Sequence, residues 1–176
     1  MIVKLNKLSD YALRMDTIST HLTNSIRRQI MTDRPPKAEG MGWITPYLTV
    51  KNVKDAIDFY QKAFGLETKM TMPDKDGNII HAEIGYNDCV IMIGAECPEE
   101  GSKSPATLSG SSVGLYIYVD DIDNFCAKAR DTGAKMLTEP ETMFWGDRMC
   151  SMECPEGHRW TFAQNVADFD PSKAPK

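Results

Sequence analysis

His81 and Glu83 are the pair in this sequence best suited to proton transfer. They lie two apart in the segment His81-Ala82-Glu83-Ile84, and side chains two apart on a β-strand project to the same face. A histidine, with an ordinary pKa of about 6.5, can act as a base while a carboxylate orients its ring, or the two can bind a ligand together. The alternative is a solvent-facing or hydrogen-bonded pair on a polar sheet face. His81 and Glu83 are therefore the catalytic candidates.

A second set of residues has the chemistry of a small-molecule site. Trp145 offers a ring on which a planar or cationic ligand can stack, and Arg148 offers a fork for a carboxylate or phosphate. Asp147 and Arg148 can instead pair with neighbours and fix their loop. Trp160 can line the same pocket or pack in the core, and we favour core packing for it. Apolar walls with a few hydroxyls, typical of ligand pockets, are predicted from four further residues: Tyr47, Met92, Tyr116 and Tyr118.

Short strands and one helix must position the first set. Apolar residues at a spacing of three and four predict a helix over Val53–Phe64, which Gly65 ends. Alternating and apolar runs bounded by turn residues predict strands over residues 43–50, 66–72, 79–86 and 89–93. The order of elements is β-α-β-β-β.

The same order begins again after a linker over residues 94–112 that is rich in Ser, Gly and Pro. Val50-Lys51-Asn52-Val53 matches Val119-Asp120-Asp121-Ile122, 69 residues later. A helix is predicted over residues 122–132, and strands over 135–138, 148–154 and 159–165. The sequence therefore predicts two tandem modules, 43–93 and 113–165, within one domain over residues 41–168, followed by a tail over 169–176.

Residues 1–40 are predicted to be an extension of this domain. Apolar residues between positions 8 and 30 recur at three and four, which predicts an amphipathic helix, and Pro35, Pro36 and Gly40 indicate a linker. The helix is expected to pack against the domain or to serve as a dimer contact.

Composition excludes several classes of function. The chain has 176 residues and a formal charge of -5 with no block of like charge, so neither nucleic acid nor membrane is an expected partner. A cytoplasmic location is expected, because no segment resembles a membrane span or a secretory signal. The 5 cysteines are scattered without a Cys-x-x-Cys pair, so we expect reduced thiols and no zinc site.

Several stretches resemble the PhnB-like branch of the vicinal-oxygen-chelate superfamily of glyoxalases, bleomycin-resistance proteins and dioxygenases. The similarity covers Ile44-Thr45-Pro46-Tyr47-Leu48, residues 56–65, His81-Ala82-Glu83-Ile84, residues 116–121, Phe144-Trp145-Gly146-Asp147-Arg148 and residues 155–160. The resemblance implies an α+β fold in which two tandem β-α-β-β-β modules form a curved mixed-sheet cup. It also implies that a small ligand or metal lies in the cup and that a homodimer is formed.

The resemblance also locates the positions that hold the metal in metal-dependent members. They are Thr45 and Met92 in the first module and Gly114 and Thr161 in the second. None is His, Glu, Asp or Cys, the donors that Zn, Ni, Fe or Mn requires in such a setting. No cofactor is therefore predicted, and a divalent metal is disfavoured.

These observations predict a small-molecule-binding protein without the superfamily metal site. The alternative is an enzyme of the glyoxalase or dioxygenase type, of the lyase or ring-cleavage class, that depends on a rearranged metal or on His81.

Overall fold

The computed structural model describes residues 34–175, and the residues from Gly40 onward form one compact unit. The predicted helix over residues 8–30 lies outside the described residues. The fold is α+β, with two mixed sheets of 4 and 5 strands, as the sequence predicts. Within residues 34–175, no helix is long and apolar enough to span a membrane.

The first module contains strands β1 (Tyr47–Val50), β2 (Glu67–Pro73), β3 (Ile79–Tyr86) and β4 (Cys89–Ala95), and helix α1 (Val53–Phe64). Its sheet has the order β1-β4-β3-β2, in which β1 is parallel to β4 and the other neighbours are antiparallel. The first strand begins at Tyr47, four residues later than predicted, because the preceding residues do not pair along β4.

The second module repeats this arrangement with strands β5 (Gly114–Tyr118), β6 (Lys135–Met136), β7 (Glu141–Thr142), β8 (Asp147–Glu153) and β9 (Arg159–Asn165). Helix α2 (Pro105–Leu108) precedes it, and helix α3 (Ile122–Asp131) follows β5. The sheet order is β5-β9-β8-β6, and β7 pairs with β8. The sequence analysis did not predict α2 or β7, which are 4 and 2 residues long and too short to show a period.

Both long helices begin with the same cap, which accounts for the repeated sequence pattern. The Asn52 side chain accepts a hydrogen bond from the Asp55 amide, and the Asp121 side chain accepts one from the Asn124 amide. Such caps satisfy amide groups that have no partner within the helix. Gly65 ends α1 in the left-handed conformation, with φ of 68°.

One hydrophobic core serves both modules. Trp160 on β9 is fully buried and contacts the rings of Tyr60 and Phe64 on α1, each with ring centroids 5.1 Å away. Phe64 also contacts Phe162 at 4.8 Å. Helices α1 and α3 pack on this side of the sheets, so the opposite sheet faces are left to form the cup.

The expectation that all cysteines are reduced is wrong for two of them. Cys126 on α3 and Cys150 on β8 are both buried and are joined by a disulfide. The sequence does not reveal this pair, because the two cysteines are 24 positions apart and nothing between them indicates that α3 packs on β8. Cys89, Cys97 and Cys154 are free thiols.

Candidate ligand-binding site

The cup face of the first module brings Tyr47 and His81 together. Leu48 and Val50 point into the core, so Tyr47, one residue before Leu48 in the strand, projects to the opposite face. Its ring stacks on the His81 ring with centroids 5.7 Å apart, and its hydroxyl lies 3.5 Å from His81 Nδ1. Tyr47 occupies the space over Gly94, where a Cβ would collide with its ring.

Glu83 and Met92 lie on the same face. They are paired across β3 and β4, and both are half-buried. Tyr47 pairs with Met92 across β1 and β4. The His81 ring therefore contacts Tyr47. Glu83 lies two residues farther along β3 on the same face.

The cup face of the second module holds a buried carboxylate. Tyr116 and Tyr118 lie two apart on β5, and both hydroxyls donate to Asp147 Oδ2, at 2.8 and 2.9 Å. The Asn165 amide donates to Asp147 Oδ1 at 3.0 Å. Asp147 is only 5% exposed, whereas Tyr116 and Tyr118 are 46% and 57% exposed. The two tyrosines thus stand between a buried acid and solvent.

Burial and hydrogen bonding act in opposite directions on this carboxyl group. Burial by itself raises the pKa of Asp147, but hydrogen bonds from Asn165, Tyr116, Tyr118 and Trp145 together lower it below its ordinary value. Burial and the hydrogen bond to Asp147 raise the pKa of Tyr116 to about 12. Near neutral pH the site therefore contains one carboxylate and two protonated phenols.

Trp145 reaches this cluster from the loop before β8. Its ring packs edge-on against Phe144 with centroids 5.0 Å apart, and Phe144 contacts Phe169 in the C-terminal tail. The amides of Val166 and Ala167 both donate to the Gly146 carbonyl, at 2.9 and 3.1 Å. The segment that follows β9 therefore holds the loop that carries Trp145.

Arg148 lies on the other face of β8. Its guanidinium donates to both carboxylate oxygens of Asp123 on α3, at 2.7, 3.0 and 3.2 Å. Side chains alternate along a strand, so Asp147 faces the cup while Arg148 faces the helix. The structure brings Trp145 to the tyrosines and brings Arg148 to Asp123.

A cavity of 570 Å³ adjoins the tyrosines where the two modules meet. One wall is β5 from Leu115 to Tyr118, and the other is the turn and strand from Tyr86 to Ile91, with Gly42, Ile44 and Pro46 completing the lining. Most of the lining is apolar, and Asp88 is its one charged residue among the described positions. The cavity has the size and lining of a small-molecule pocket.

The four positions that resemblance assigns to a metal do not fit one in this structure. The Thr45 hydroxyl donates to the Gly42 carbonyl, Thr161 shares a hydrogen bond of 3.0 Å with Ser151, and the other two positions are Met92 and Gly114. Within residues 34–175, no group of three or more His, Cys, Asp or Glu side chains is arranged to hold a metal ion. The residues at these four positions therefore give no support to a metal-dependent function.

Comparison with known proteins places this fold and site. The sequence pattern of the glyoxalase/bleomycin resistance protein/dioxygenase superfamily matches residues 40–162, which contain the first module and all but the last three residues of the second. The chain belongs to this superfamily.

Two mycobacterial relatives are similar over the same region. A protein of Mycobacterium bovis and one of Mycobacterium tuberculosis, both described as uncharacterized, are 35% identical over 130 residues. The match covers 72% of this chain, and 86% and 76% of the two relatives.

Several solved structures share the fold. TioX from Micromonospora sp. ML1 has a TM-score of 0.57 at 21% identity, with 71% of this chain and 99% of that chain covered. A gene product from Arabidopsis thaliana also has a TM-score of 0.57, at 24% identity, covering 70% and 98%. A glyoxalase/bleomycin resistance protein/dioxygenase from Nocardioides has a TM-score of 0.54 at 17% identity, covering 87% and 99%.

Sequence reasoning identified Tyr116 and Tyr118 but not the residues that organise them. The sequence predicts Asp147 only as a residue that fixes its loop, and it gives no indication of Asn165. Their pairing across β8 and β9 depends on strand register, which the sequence does not reveal. The available signal was the spacing of Tyr116 and Tyr118, which predicts two phenols on one face and hence a shared polar partner.

Proposed function

We propose that this protein binds a small organic molecule in its cup and does so without the superfamily metal. The observation that carries the proposal is the pair Tyr116 and Tyr118, which are held by Asp147 at the mouth of a largely apolar cavity of 570 Å³. Fixed aromatic rings beside an apolar cavity supply contact area at little entropic cost.

The residues at the four metal positions support the proposal that binding does not need the superfamily metal. A thioether, a glycine and two hydroxyls engaged in hydrogen bonds are poor ligands for the divalent ions of this superfamily. Ligand binding is therefore expected to be insensitive to a chelator.

A thermal-shift screen of aromatic compounds, with and without chelator, tests the proposal. We expect at least one compound to raise the melting temperature equally in both conditions. Tyr118→Ala should remove that shift, while Leu108→Ala, an exposed residue on α2, should retain it. Elemental analysis of protein purified without chelator should find no stoichiometric metal. A stoichiometric metal, or a screen with no stabilising compound, would contradict the proposal.

A second candidate function is acid-base catalysis by His81. The observation that favours it is the contact between the Tyr47 hydroxyl and His81 Nδ1, because a phenol there can set the tautomer of the ring. Glyoxalase and ring-cleavage assays with His81→Gln and Glu83→Gln test it. Activity that survives both substitutions would remove this candidate.

We further propose, from the family resemblance, that the protein belongs to the PhnB-like branch and is a cytoplasmic homodimer. Exposed apolar residues support the dimer: Ile44 is 91% exposed and Val113 is 67% exposed. Light scattering of the full chain should give twice the mass of 19.7 kDa, and Ile44→Glu should shift that mass toward the monomer.

A further inference from the structure

We propose that the ligand carries a cationic N–H donor group, such as an amidinium, guanidinium or primary ammonium, which is recognised by Tyr116 and Tyr118 above Asp147. This inference rests on the proposed function and specifies the chemical class of the ligand. An aromatic or otherwise apolar cation is the molecule that fits both the cluster and the adjoining cavity.

The direction of the hydrogen bonds excludes other ligand groups. A phenol has one donor hydrogen and two acceptor lone pairs. Tyr116 and Tyr118 both direct their hydrogen at Asp147 Oδ2, so each presents lone pairs to an approaching molecule. A ligand carboxylate or phosphate would have to displace those hydrogen bonds, whereas a ligand N–H group donates to the phenol oxygens without disturbing them.

Among residues 34–175, the groups that bind Asp147 include no counter-ion for its charge. Its partners are two phenols, the Asn165 amide and the Trp145 indole, all of which are neutral. The neighbouring Arg148 is occupied by Asp123 on the opposite face. A buried carboxylate that is hydrogen-bonded but not neutralised attracts a cation placed within a few ångströms of it.

The lining of the adjoining cavity also favours a positively charged ligand. In the part of the chain that the structure describes, this lining contains Asp88 and no Lys or Arg. The faces of Tyr116 and Tyr118, whose rings are edge-on with centroids 5.5 Å apart, add the attraction of aromatic rings for cations. The cavity therefore accommodates an apolar body, and the cluster accommodates its cationic end.

Three fluorescent probes separate the effect of positive charge from the effect of N–H donors. Diamidinophenylindole is a planar dication with N–H donors, thioflavin T is a planar cation without them, and anilinonaphthalene sulfonate is an anion. Each is titrated into the full chain, freed of nucleic acid by nuclease, at low salt. We expect the amidinium dye to bind at least about tenfold more tightly than the anion, with thioflavin T between them.

Variants test whether the cluster is responsible. Asp147→Asn should weaken binding of the amidinium dye about tenfold or more, because a hydrogen-bonded charge is lost. Glu139 is exposed, and Glu139→Gln changes the net charge by the same amount as Asp147→Asn. It should have no effect on binding of the amidinium dye. Tyr118→Phe keeps the ring and removes one acceptor. It should weaken the amidinium dye several-fold and leave the anion unchanged, which keeps the test informative if Asp147→Asn does not fold.

Equal binding of all three probes, or binding of the amidinium dye that survives both Asp147→Asn and Tyr118→Phe, would overturn the cation proposal and leave small-molecule binding intact. Binding of no probe would count against both proposals.

Discussion

The Nε2 atom of His158 lies 2.9 Å from the main-chain carbonyl oxygen of Thr49, which is 109 positions earlier in the chain. His158 belongs to the turn between β8 and β9, and Thr49 belongs to β1. The same turn supplies Glu156, whose carboxylate accepts from the Lys51 amide at 2.7 Å. One turn of the second module thus holds the end of the first strand of the first module.

The pH dependence of stability should report this contact. Burial lowers the pKa of His158 below its ordinary value of 6.5, although the Thr49 carbonyl partly opposes this. The unfolded chain therefore takes up the proton first as the pH falls. The contribution of His158 is complete above pH 6.5 and is lost as the pH falls through the folded-state pKa.

Urea denaturation from about pH 7.5 to about pH 5 checks this expectation. The free energy of unfolding of the wild type should fall more steeply than that of His158→Gln, whose amide does not titrate. His81→Gln controls for a histidine outside this contact and should follow the wild type. Parallel curves for wild type and His158→Gln would refute the expectation.

Removal of the Trp160 ring should destabilise the whole domain. Trp160 is fully buried against α1, and a tryptophan-to-alanine change in a core costs about 3–5 kcal/mol. Trp160→Ala is expected to lower the free energy of unfolding by that amount, whereas the exposed Leu108→Ala should change it by less than about 0.5 kcal/mol. A small effect at Trp160 would show that it is not a core residue.

Gly146 should not tolerate a side chain. Its φ is 99°, and a Cβ at this position would collide with the carbonyl of Ala167, which follows β9. We expect Gly146→Ala to move the loop that carries Trp145, which should weaken ligand binding and change tryptophan fluorescence. Gly110→Ala, where a Cβ meets open space, is the matched control. Identical fluorescence and binding for the two variants would contradict this account.

The disulfide between Cys126 and Cys150 can be tested by counting thiols. Under denaturing conditions without reductant, three of the five cysteines should react with a thiol reagent, and all five after reduction. Closure of a loop of 24 residues should contribute roughly 3 kcal/mol to stability. The double variant Cys126→Ala and Cys150→Ala should therefore unfold at lower urea concentration than Cys89→Ala. Five reactive thiols without reductant would show that the bond is absent.

The sequence predicts local structure well where a local signal marks it. Helix Val53–Phe64 has the predicted bounds because Asn52 caps its start and Gly65 its end, and both signals lie within the helix sequence or next to it. Strands β3 and β9 also have their predicted bounds, since turn residues flank them. The short β7 was missed because two residues have no period.

The site is harder to predict because its contacts cross the sheets. Whether Asp147 or Arg148 faces the cup depends on the phase of β8, and a shift of one residue exchanges them. The sequence alone favoured Arg148 as a ligand contact, and the structure gives its guanidinium to Asp123. The partnership of Asp147 with Asn165 and the tyrosines emerges only when β5, β9 and β8 are placed in register.

The core shared by the two modules also bears on whether either half can fold alone. Each half carries the sequence of a repeat, yet Trp160 and Phe162 of one half are covered by Tyr60 and Phe64 of the other. A fragment with only one half would expose these rings to water. The two halves should therefore unfold together as one cooperative unit, and division of the chain between them should unfold both.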